Sequence, residues 1–95
     1  MLLSVLTTVC VMAVGDKPVE CDVRVKYYHS ATSVNECALG ALAVANVLHN
    51  TAIDEGLKVL ISKGECYDLA GIKDQLNALP RAMQAINADY SLTFY

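Results

Sequence analysis

The sequence has no tryptophan, one phenylalanine and two prolines, and only 18% of its 95 residues are charged. With 55% hydrophobic residues it lacks the low hydrophobicity and high net charge that keep a chain disordered. No run of Lys and Arg occurs, and the formal net charge is −3. A mildly acidic chain gains nothing from counterion release, so a general nucleic-acid role is disfavoured, as is an anionic membrane surface. There is no Cys-x2-Cys pair of the kind structural zinc sites use. There is no Gly-rich phosphate loop either: Gly40, Gly56, Gly64 and Gly71 are scattered, and none follows a strand into a helix start. No N-x-S/T sequon appears. No Cys–His–Asn or Ser–His–Asp set sits on a recognisable local motif. The expectation is a chain that is not an enzyme and takes no cofactor and no metal.

Charge is also absent from the first fifteen residues, MLLSVLTTVCVMAVG, and returns at once with Asp16 and Lys17. An apolar run of about 7–15 residues with small residues before the cut is the pattern of a secretory signal. Ala13 and Gly15 supply those residues if cleavage precedes Asp16. The run is too short for a helix that crosses a membrane, which needs about 20 residues. It reads as a removable signal over residues 1–15, leaving one domain over 16–95. The alternative is a buried strand, because Val5, Thr7, Thr8, Val9 and Val11 are β-branched and Gly15-Asp16-Lys17-Pro18 suits a turn.

Val19 to Tyr28 alternates strictly. Val19, Cys21, Val23, Val25 and Tyr27 are apolar or aromatic, while Glu20, Asp22, Arg24 and Lys26 are charged. That period of two is a half-buried strand. Ser33 with Glu36 then fits a capping box, and the apolar stretch from Val34 to His49 predicts a helix in the centre of the domain. Thr51 with Asp54 repeats the cap-like spacing, making Asp54-Glu55 a charge cluster at a helix start. Ile53, Leu57, Leu60 and Ile61 share one face of a second helix, with Gly64 as its left-handed stop. Asp68 is placed to cap a third helix, whose Leu69, Ile72, Leu76, Leu79, Met83 and Ile86 recur at spacings of 3, 4, 3, 4 and 3. Pro80 predicts a kink or break near Leu79. Tyr90, Leu92 and Phe94 alternate with Ser91, Thr93 and Tyr95 in a last strand. The expected fold is α+β: strand, three helices, strand, with the helices packed on one face of a small antiparallel sheet.

With Cys10 removed in the signal, Cys21, Cys37 and Cys66 remain, so one disulfide and one spare thiol are expected. Cys21–Cys37 and Cys37–Cys66 are both open, since Cα separation decides between them. His29 reads as a loop residue and His49 as a residue near a helix C-terminus. Tyr27, Tyr28, Tyr90 and Tyr95 gather near the strand ends and are candidate partner anchors. Segment LLSVL, with the helical stretch from Cys37 to Leu79, resembles the small helical replicase cofactor of coronaviruses. The plan of signal, strand, helices and strand resembles small secreted α/β killer toxins and effectors of fungi.

These features predict a small, secreted, non-enzymatic interaction protein, effector- or toxin-like, with a protein partner that includes a second copy of itself. The alternative is an intracellular (cytoplasmic) accessory or oligomerisation subunit that keeps residues 1–15 as a buried strand. A small apolar ligand also stays open, because the small side chains of an alanine-rich helix leave room for a cavity.

Overall fold

The computed structural model describes residues 3–12, 19–28 and 34–94. The strands are β1 (Leu3–Met12), β2 (Val19–Tyr28), β3 (Lys58–Tyr67) and β4 (Ala88–Phe94); the helices are α1 (Val34–Asp54) and α2 (Leu69–Ala85). They form one small α+β domain with a four-stranded sheet in the order β3-β1-β2-β4. β1 is antiparallel to both neighbours, but β2 and β4 run parallel, so the sheet is mixed rather than antiparallel. A parallel neighbour needs a crossover, and α2 supplies it by carrying the chain from one edge to the other.

β1 is the most buried strand. Every residue from Leu3 to Cys10 is buried, as a strand with a neighbour on each side and a helix over each face must be. Its side chains alternate, and the register carries the alternation across the sheet. Leu6, Thr8 and Cys10 share a face with Val25, Val23 and Cys21 of β2; Val5, Thr7 and Val9 share the opposite face with Lys26, Arg24 and Asp22. α2 covers the first face, where Ile72, Leu79 and Met83 pack on Leu6, Cys21, Val23 and Val25. α1 covers part of the second, where Cys37 and Ala41 pack on Leu3 and Val5. The helices therefore lie on opposite faces, which corrects the expectation of a single covered face. β1 has apolar side chains on both sides, so each face needs its own cover.

Two helices replace the expected three. α1 does not stop at His49 but runs to Asp54. Thr51 is not a cap: its hydroxyl donates back to the Val47 carbonyl at 2.9 Å, the way a threonine is accommodated inside a helix. The stop comes at Gly56, where φ is +78°. There the Gly56 amide donates to the Ile53 carbonyl at 2.9 Å and the Leu57 amide to Ala52 at 3.0 Å, the paired bonds of a Schellman motif. Of the residues expected as the second helix, Ile53 belongs to α1 and Leu57 to the turn after it, and those from Lys58 on form β3. Val59 and Ile61 alternate, and the ladder to β1 shifts register between Cys10 and Val11, leaving Leu60 in a bulge.

Gly64 lies within β3 and has no positive φ. Its lack of a side chain serves packing: a Cβ there would fall 2.2 Å from the Ala41 carbonyl oxygen of α1. Two residues on, Cys66 is joined to Cys37 of α1, with Cα atoms 6.0 Å apart. Cys21 is joined to Cys10, its direct partner across the β1–β2 ladder. All four cysteines are thus paired, and the spare thiol expected after loss of Cys10 has no counterpart in the whole chain. Closing loops with separations of 11 and 29 residues contributes about 3 kcal/mol each on the chain-entropy estimate.

Asp68 caps α2 as its position suggested, accepting from the Gly71 amide at 2.7 Å. The helix continues through Pro80 without a break. Pro80 is exposed while Leu79 and Met83 beside it are buried. Their burial, about 1.5–3 kcal/mol each, offsets the hydrogen bond that proline removes. Asn87, at φ 51°, turns the chain into β4. Ser33, His29 and the Ala13–Gly15 cleavage site lie outside the described residues.

Candidate functional site

α1 packs over β1 and β3 and leaves the β2–β4 half of its face open. That half carries the charged set of β2, beside Asp89, Ser91 and Thr93 of β4. Where it meets the end of α1 there is a cleft of about 360 Å³. Val9 and Val11 form its floor, Leu48, Ala52 and Leu57 its helical wall, and Asp22, Arg24 and Ser91 its sheet wall. The Schellman turn builds the helical wall, because it brings Leu57 back alongside Ala52.

Arg24 and Asp22 stand two residues apart on one face of β2. The Arg24 Nε and Nη2 both donate to the Asp22 carboxylate, with the shortest contact 2.9 Å. Both side chains are about one-third exposed, so water screens the pair and its stability contribution is at most about 1 kcal/mol. Glu20 and Glu55 add carboxylates at the rim. Among the described residues no histidine lines the cleft, and its one cysteine, Cys21, is held in a disulfide. Among the described residues no three His, Cys, Asp or Glu side chains converge as a metal site. The cleft has the makings of a binding surface, with an apolar floor and a polar rim.

Of the four candidate anchor tyrosines, the side chains of Tyr27 and Tyr90 are described, and these two stand apart. Tyr27 and Tyr90 are both partly exposed, but Tyr90 stands beside Cys21 at the start of β2 and Tyr27 near its end. That separation is about 20 Å along the strand. Antiparallel pairing of β2 and β4 would have brought them together; parallel pairing sends them to opposite ends. Tyr95 and the side chain of Tyr28 lie outside the described residues. Tyr67 donates to the Glu65 carboxylate, and the buried Ser4 hydroxyl between Tyr27 and Tyr67 in the register has no partner among the described residues.

The larger surface feature is one that sequence reasoning missed. α1 buries Cys37, Ala41, Ala45 and Ala52 against the sheet and turns its large apolar residues outward. Leu39 is 69% exposed and Val47 64%, with Leu42 and Ile53 more than half exposed. No Asp, Glu, Lys or Arg occurs between Glu36 and Asp54. A helix apolar all round was expected to be buried all round. The available signal was size: the small residues recur at spacings of four and seven, marking the side that sits tight on the sheet.

In comparison with known proteins, the chain matches no family model, no curated protein and no solved structure. No match supports the likeness to the coronavirus cofactor or to the fungal toxins and effectors. Among the described residues no helix is long and apolar enough to cross a membrane. Two disulfides fit an extracellular protein.

Proposed function

We propose that this chain is a small, non-enzymatic interaction protein, effector- or toxin-like, that works outside the reducing cytosol and binds a protein partner. One observation carries the reading: the outer face of α1 is apolar, uncharged and exposed, on a helix fixed to the sheet by Cys37–Cys66. Exposed apolar surface of this kind marks interaction sites in soluble proteins. The disulfides support the oxidising compartment. We also propose that residues 1–15 stay in the folded protein. Removing them would take out β1, strip β3 of its only strand neighbour among the described residues, and leave Cys21 without Cys10.

The compartment and the N-terminus are tested together by the intact mass of protein from its native source. The expected mass includes residues 1–15 and rises by four hydrogens on reduction, one pair for each disulfide. A chain beginning at Asp16 would restore the cleaved-signal reading; four free thiols would favour an intracellular accessory subunit. For the binding face, a photo-crosslinking residue at position 46 should yield a discrete adduct in the native fluid. The same residue at position 73, on α2, should not. Adding Leu39→Glu and Val47→Glu should abolish the adduct at an unchanged melting temperature. Equal labelling from both positions rejects α1 as the binding face.

A further inference from the structure

The two edges of the sheet differ in kind. β3 is guarded: it carries Lys58 and Lys63 and is bent by the bulge at Leu60. Charges, lysine above all, and bulges are the devices that keep an edge from pairing with another chain. β4 has no lysine and no bulge. It also contains no proline, and its one charge, Asp89, lies near the start of the strand. Among the described residues β4 pairs with β2 alone, so its outer backbone groups are unpaired by any strand. On the α2 side it shows Tyr90 at 39%, Leu92 at 38% and Phe94 at 53% exposure.

We infer that β4 pairs edge to edge with β4 of a second copy of this chain, antiparallel about a two-fold axis at Leu92. This deepens the reading of an interaction protein and uses a surface separate from the outer face of α1. An unpaired strand edge is recognised by a strand, and the sequence of β4 identifies which strand fits. With Leu92 facing its own copy, Tyr90 of each chain lies opposite Phe94 of the other, and Ser91 lies opposite Thr93. Both aromatic pairs fall on the α2 face and both hydroxyl pairs on the open face, since residues two apart share a face. Cross-strand aromatic pairs and Ser–Thr pairs each favour the ladder. Asp89 lies outside this five-residue overlap, so two acidic chains meet without opposed like charges. A register centred on Tyr90 would instead set Tyr90 against its own copy, Asp89 against Ser91 and Leu92 against Ala88, and leave Phe94 without a partner in β4.

The overlap is about 17 Å long and buries less than the roughly 800 Å² per partner of a standard interface. The dimer is therefore a weak, micromolar one that forms without disturbing the monomer fold. In it the α2 helices of both copies flank the seam, and Tyr90, Leu92 and Phe94 from each chain fill the furrow between them.

The test is sedimentation velocity of the full oxidised chain over a concentration series. The unaltered protein should show a monomer–dimer equilibrium. Ser91→Lys with Thr93→Lys opposes like charges across the seam and should weaken the dimer roughly tenfold or more. Ser91→Glu with Thr93→Glu should do the same, and an equal mixture of the two variants should recover a dimer. All four changes fall on exposed positions, and circular dichroism checks that each variant folds. A monomer at every concentration overturns the inference. So does a dimer indifferent to these changes, or a mixture that stays monomeric. None of those results bears on the crosslinking at position 46, so the two proposals fail separately.

Discussion

α2 buries its large side chains and α1 buries its small ones. Under α2, Ile72, Leu79 and Met83 fill the space above Val23 and Val25, and the polar side of the helix faces water. Under α1, Cys37, Ala41 and Ala45 let the helix backbone come down onto Gly64, and Leu39, Leu42, Val47 and Ile53 are left outside. The first helix is held by burial volume. The second is held by closeness and by a covalent tie to β3. Hydrophobicity alone does not orient a helix that is apolar all round; the shape of the surface beneath it does.

The contrast can be broken first from below. Val23 is fully buried under α2, so Val23→Asp should abolish the cooperative unfolding transition seen by circular dichroism, because an unpaired carboxylate is buried there. Ile72→Ala should come next, at about 2–5 kcal/mol in urea unfolding, as expected for a cavity in a core filled by large side chains. Gly64→Ala tests the other mode of attachment. The new methyl meets a backbone carbonyl that cannot rotate away, so the loss should reach the upper end of the 1–3 kcal/mol typical of overpacking, about 3 kcal/mol. Two substitutions should be nearly silent, within about 0.5 kcal/mol: Leu39→Ala on the outer side of α1, and Arg24→Thr on the open half of the sheet. A cost at Leu39 equal to that at Ile72 would show that the outer face of α1 supports the monomer rather than an interface.

The parts legible in the sequence are those where period and residue type agree. β2 was plain because charge and apolarity alternate without exception from Val19 to Lys26. The seam of α2 and its Asp68 cap were plain for the same reason. β3 was hidden because Ile53, Leu57, Leu60 and Ile61 make a passable helical face. Leu60 owes its place in that pattern to a bulge, which no periodicity announces. Gly64 was read as a helix stop because glycine has two uses, left-handed backbone and close approach, and only the neighbour reveals which applies. β1 carries the same ambiguity: a continuous apolar run describes a strand covered on both faces as well as it describes a signal. The cleft was not legible, because it depends on how far α1 extends across the sheet. The Asp22–Arg24 pair at its wall followed from the alternation, which puts residues two apart on one face.

The strand order has a consequence for how the chain assembles as it is made. β1 and β2 come first, close into a local hairpin, and are the pair that Cys10–Cys21 cross-links. β3 then adds beside β1, and β4 adds last beside β2. No strand is ever inserted between two already paired, so the sheet grows outward from a finished centre in the order of synthesis. Each stage asks only for a free edge and a helix to carry the chain to it, which avoids reopening pairs already made. Of these four strands β4 is the last to be made, and among the described residues no strand pairs with its outer side, so self-association through β4 would follow the closing of this sheet.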